Sequence, residues 1–65
     1  MTAAQENALK VFNSVKAKAT ETKLARGMAK FNYTENGWNY DFYTVNGQIK
    51  KVEASNHREL IEVQF

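Results

Sequence analysis

The sequence predicts a single α+β domain: one N-terminal helix packed on one face of a three- to four-stranded antiparallel β-meander. Three observations carry this. Apolar residues in the alanine-rich first 20 positions recur at helical spacing, the second half alternates apolar with polar residues, and two Asn-Gly pairs punctuate that half. Sixty-five residues allow one domain. A chain this short buries only roughly 60 % of the surface its unfolded form exposes. Packing, tight turns or a partner chain must therefore supply its stability.

Thr2-Ala3-Ala4-Gln5 has the form of a capping box, in which the threonine hydroxyl takes the Gln5 amide and Gln5 reaches back. Beyond it, Ala4, Ala8, Val11, Phe12, Val15 and Ala19 fall on one helical stripe, with Glu6, Lys10, Asn13 and Ala17 opposite. Glu6 and Lys10 form a favourable pair one turn apart. The helix is expected over residues 3–19. Thr20 and Thr22 weaken helix propensity after that point, and Gly27 offers a later C-cap.

Strands are expected over residues 28–35, 38–45, 48–54 and 59–65. A type I′ turn at Asn36-Gly37 sets Tyr33 against Tyr40 and Phe31 against Phe42. The same turn at Asn46-Gly47 would bring Lys51 and Glu53 onto the aromatic face. A type I turn with a bulge at Gly47 avoids this, and it predicts Val52 opposite Tyr40, Ala54 opposite Trp38 and Asp41 opposite Lys51. The last strand shows Ile61, Val63 and Phe65 on one side; its neighbour, the third strand or the first, is left open. Phe31, Tyr33, Trp38, Tyr40, Phe42, Val52 and Ala54 should lie under the helix. Met28, Lys30, Asn32, Thr34, Asn39, Asp41, Tyr43, Val45, Ile49, Lys51 and Glu53 should form the open face.

Catalytic chemistry finds little support. Cysteine is absent and His57 is the only histidine, so neither disulfides nor a thiolate or multi-histidine metal site is expected. His57 sits in the polar turn Ser55-Asn56-His57-Arg58, with nothing tying it to a nucleophile. Asp41, Glu53, Lys50 and Lys51 lack the Glu-x-Lys spacing of metal-dependent nucleases and read as structural ion pairs. Gly27, Gly37 and Gly47 are isolated and form no phosphate-cradling loop. The chain reads as a non-enzymatic binding module without metal or cofactor. It has no apolar signal region and no run of ~20 apolar residues, so it is expected to be soluble, cytoplasmic and not bound to membrane.

Charge gives the main functional pointer. Between Lys10 and Lys30 lie six basic residues (Lys10, Lys16, Lys18, Lys23, Arg26, Lys30) against one acid, a net +5; from Phe31 onward three basic residues face five acids, a net −2. A band of those six cations along the helix and its crossing into the sheet is expected to attract nucleic acid, RNA or single strands, through phosphate neutralisation. Tyr43, Asn32 and Asn39 would be placed to stack on or hydrogen-bond unpaired bases. The alternative is a protein partner or a second copy, as for the small inhibitors and adaptors of phages and mobile elements. It would use the open sheet face, with Tyr43, Ile49, Val45 and Met28 as contacts and Asn32, Asn39 and Lys51 beside them, or else the edge strands.

Overall fold

The computed structural model describes residues 1–65. It contains helix α1 (Ala3–Val15) and strands β1 (Thr20–Ala25), β2 (Met28–Glu35), β3 (Trp38–Val45), β4 (Gln48–Ser55) and β5 (Leu60–Gln64). The strands form one antiparallel sheet in sequence order. No helix is long and apolar enough to cross a membrane.

The capping box forms as the sequence implies. The Gln5 amide donates to Thr2 Oγ1 at 3.1 Å, and the Thr2 amide donates to Gln5 Oε1 at 2.8 Å. Gln5 Nε2 also donates to the Gln64 carbonyl at 2.9 Å, tying the start of α1 to the end of β5. The helix stops at Val15, four residues before the expected end. The Lys18 and Ala19 amides both donate to the Val15 carbonyl, and the chain then extends into β1. This fifth strand was not expected. Its hydrogen bonds to the free edge of β2 act together with the weak helix propensity of Thr20 and Thr22, whose branched side chains suit a strand.

Both Asn-Gly turns place two residues at positive φ: Asn36 at 53° and Gly37 at 81°, Asn46 at 51° and Gly47 at 80°. These are type I′ values. The β1–β2 turn differs, with only Gly27 in the left-handed region (φ 75°). Gly27 is also in close contact: the Asn46 amide donates to its carbonyl at 2.6 Å, and a Cβ on Gly27 would sit 2.5 Å from Asn46 Oδ1. The two turns at this end of the sheet are clasped together.

The β2–β3 register is the expected one, with Phe31 opposite Phe42 and Tyr33 opposite Tyr40. The β3–β4 register corrects the expectation. Val45 pairs with Gln48 and Thr44 with Ile49, and only then does the register shift, so that Tyr43 faces Lys51, Phe42 faces Val52 and Tyr40 faces Ala54. The extra residue lies at Lys50, not Gly47, and Asp41 meets Glu53, not Lys51. The reason is the fate of Ile49. Strict alternation would send Ile49 and Val52 to opposite faces, whereas an intervening bulge turns both toward the helix. Ile49 is 9 % exposed and Val52 5 %, and burying one such side chain contributes roughly 1.5–3 kcal/mol. Ile49 is thus a core residue and not an open-face contact.

The core is small. Phe12 and Val15 of α1 pack on Phe42, Ile49 and Val52, with Phe31, Tyr33, Tyr40 and Val63 partly buried around them. The Phe12 ring lies 5.1 Å from that of Phe42 and 5.4 Å, edge-on, from that of Phe31. Beside them, Thr44 is buried and its hydroxyl donates to the Ala29 carbonyl at 3.4 Å. β5 pairs with β4, placing Val63 opposite Val52 and Ile61 opposite Ala54. The helix lies toward that side of the sheet and leaves all six residues of β1 exposed.

Candidate nucleic-acid interface

Because α1 is short and offset toward β5, the helix-side surface of β1 and the start of β2 is uncovered. A groove of about 390 Å³ opens there, lined by Phe12 and Lys16 from α1 and its cap, Glu21 and Lys23 from β1, and Met28, Ala29 and Phe31 from β2. The clasped turns close one end through Gly27, Asn46 and Gly47. Its floor is apolar, formed by Ala29, which is buried, and Phe31, which is half-buried; Met28 borders the groove at the start of β2, its exposed side chain on the other face by alternation.

Two of the six expected cations stand on this groove. Lys16 Nζ lies 5.8 Å from the Phe12 ring centroid, and Lys23 Nζ lies 3.0 Å from Glu21 Oε2. The Lys23 side chain is 82 % exposed, so that ion pair is a loose surface contact with little energetic weight. Arg26 occupies the turn next to groove-lining Gly27. Lys18 sits apart, its ammonium 5.7 Å from the Tyr33 ring. The remaining two lie elsewhere. Lys10 is on the solvent face of α1 near Glu6 and Asn13, and Lys30 projects from the opposite face of the sheet, across from Tyr43. The band expected from sequence is therefore divided by the early end of the helix and by the alternation of β2.

The open sheet face is organised by its own side chains. Asn32 Nδ2 donates to Asn39 Oδ1 and to Asp41 Oδ1, each at 2.9 Å, and Asn39 Nδ2 donates to Asp41 Oδ2 at 3.2 Å. Lys51 Nζ lies 4.6 Å over the Tyr43 ring, between Glu53 at 3.8 Å and Glu62 at 3.9 Å. The Tyr43 hydroxyl donates to Glu53 Oε1 at 3.1 Å. Partial burial, followed by that hydrogen bond, pushes the Tyr43 phenol above its ordinary range, and a hydrogen bond to Glu35 does the same for Tyr33. Asn32, Asn39, Tyr43 and Lys51 thus share one face as expected, but their polar groups are already engaged with one another. His57 lies in the β4–β5 loop, where Asn56 Oδ1 accepts from the Arg58 and Glu59 amides.

Sequence reasoning did not find the groove, since the helix is expected to run to residue 19 and no strand is expected at Glu21 and Lys23; Phe31 does face the helix side and Met28 the open face, as expected. The available signal was the ten-residue spacing of Gly27, Gly37 and Gly47. Eight-residue strands joined by two-residue turns repeat at that interval, which would have marked Arg26-Gly27 as a third hairpin turn and Glu21 and Lys23 as neighbours on one strand face. Comparison with family models, curated proteins and solved structures finds no match to this chain.

Proposed function

We propose that this chain is a small, non-enzymatic module that binds nucleic acid, RNA or another single strand, along the groove beside the end of α1. One observation carries the reading: Lys16 and Lys23 stand beside an apolar and aromatic floor formed by Phe31 and Ala29. An unpaired base gains by stacking on such a floor, while its flanking phosphates are neutralised by cations at the rim. A duplex would not fit this arrangement, because its bases are already stacked and paired. Arg26, at the exposed turn, extends the cationic rim toward the open end. The carbonyl end of α1 carries partial negative charge, and Lys16 and Lys18 at that end offset it. The cytoplasm is the setting this reading implies.

The test is a fluorescence-anisotropy titration of a short fluorescent oligouridine with the purified protein across a series of salt concentrations. With Lys16, Lys23 and Arg26 each meeting one phosphate, the logarithm of affinity should fall against the logarithm of salt with a slope of about −2, at ~0.7 per contact for single strands. Binding that is absent at low salt, or indifferent to salt, overturns the reading.

A protein partner is the second reading, favoured by an apolar hollow on the other side of α1. Ala4, Ala8 and Val11 leave Tyr40, Ala54 and Val63 partly open there, and Ile61 nearby is 47 % exposed. Under this reading the contact shifts from the open sheet face to the helix side, where the exposed apolar surface lies.

A further inference from the structure

We infer that β1 is a self-pairing edge, through which two copies of the chain join in an antiparallel two-fold dimer with Thr22 facing Thr22 at the axis. The inference stands apart from the nucleic-acid reading, since it rests on the backbone of β1 and two of its side chains.

The two-residue turn between Glu35 and Trp38 makes their pairing a hydrogen-bonded one, so the odd-numbered residues of β2 bond toward β3 and the even-numbered ones toward β1. Asn32 and Lys30 therefore bond to Thr20 and Thr22. The outward amides and carbonyls of β1 are then those of Glu21 and Lys23, and nothing in the chain satisfies them. A second antiparallel strand must pair outward residues with outward residues, which leaves three registers for the regular part of this edge. Centred on Glu21, the pairing opposes two glutamates; centred on Lys23, it opposes two lysines. Centred on Thr22, it sets each Glu21 against Lys23 of the second copy, on both sides of the axis. Only that register is favourable in charge, and it is self-complementary, as a two-fold contact requires.

The rest of the edge agrees. All six β1 residues are exposed and the strand holds no proline, while the usual edge protections are limited to one lysine and an irregularity at Leu24. The total surface of 4646 Å² exceeds the roughly 4,200 Å² expected for a folded monomer of this mass. The other edge lacks the match: β5 paired about its central residue would oppose Glu62 to Glu62, and Glu62 already lies 3.9 Å from Lys51. The side chains of Glu21 and Lys23 lie on the helix side of the sheet, opposite Phe31 and Ala29. Pairing the two edges about an axis perpendicular to the sheet keeps both helices on that side and brings the two grooves together into one cleft. The use of that cleft by a nucleic-acid strand rests on the functional reading; the dimer does not.

The experiment is sedimentation velocity over a range of protein concentrations, at low salt and without nucleic acid, on the wild type, Glu21→Lys, Lys23→Glu and an equimolar mixture of the two variants. The wild type should show a concentration-dependent monomer–dimer equilibrium. Each variant alone should associate roughly tenfold or more weakly, because it opposes like charges at two symmetric positions. The mixture should recover association as a heterodimer, since every lysine of one variant then faces a glutamate of the other. A wild type that stays monomeric at millimolar concentration overturns the inference. So do single variants that associate as well as the wild type, or a mixture that fails to recover.

Discussion

Phe42→Ala is expected to abolish the cooperative thermal transition of this domain. Phe42 is the one large side chain with no solvent exposure, and it lies beneath Phe12, with Ile49 and Val52 in the same cluster. Truncating such a residue typically costs 3–5 kcal/mol in lost burial and residual cavity. A chain of 65 residues has a total stability of only about 3–10 kcal/mol. Few other side chains can close over the gap, because only seven residues are buried in all. Thermal melts followed by far-UV circular dichroism check this. A sharp transition in Phe42→Ala within a few degrees of the wild type would mean that the core lies elsewhere. Phe65→Ala is the comparison: that residue is 37 % exposed and outside the core cluster, so its loss should cost less than about 1 kcal/mol.

The second large effect concerns binding. Replacing Lys16 and Lys23 together by glutamate is expected to weaken oligouridine binding by roughly 10- to 100-fold, since two phosphate contacts become repulsions at the same rim. Lys10→Glu with Lys30→Glu makes the same change in net charge. Those two residues lie on the outer face of α1 and the far face of the sheet, so the loss should be several-fold smaller. The pairing of these doubles separates a located interface from a general effect of charge. Equal losses would show that only net charge matters. Lysine-to-glutamine changes at 16 and 23 should lower the magnitude of the salt slope by about 1.4, at ~0.7 per contact.

Much of this fold was legible because its turns and cap are written in local chemistry. Thr2 and Gln5 announce the start of the helix, and Asn36-Gly37 sets a hairpin register that the aromatic pairs Phe31–Phe42 and Tyr33–Tyr40 confirm. The errors arose where tertiary gain overrides local preference. Nothing within Thr20–Ala25 is strongly apolar apart from Leu24, so β1 carries no core pattern of its own; it is a strand because β2 offers it a ladder. The bulge at Lys50 is similar. Local rules favour a bulge at a turn glycine, and only the burial of Ile49 reveals that both Asn-Gly turns are type I′ and that the extra residue comes later. The Phe65 amide, which donates to the Lys50 carbonyl at 3.0 Å, uses the group the bulge leaves free.

The groove was hidden for the same reason. The cluster of basic residues was visible as a count along the chain, but its division depended on where α1 ends and on which face β2 turns outward. Lys16 and Lys23 are brought to one groove because the chain reverses between them at residues 16–19, a reversal that a longer helix would have removed. The aromatic floor is left half-covered because a thirteen-residue helix cannot cover a five-stranded sheet.

Binding along the groove is tested by an amide chemical-shift titration of the isotopically labelled protein with a short oligouridine. The groove reading predicts that the largest shifts cluster at Lys16, Glu21, Lys23, Met28 and Phe31, with Asn39, Asp41 and Glu53 on the far sheet face nearly unmoved. Shifts centred on that far face or on the outer side of α1, or no shifts at all at low salt, would contradict it.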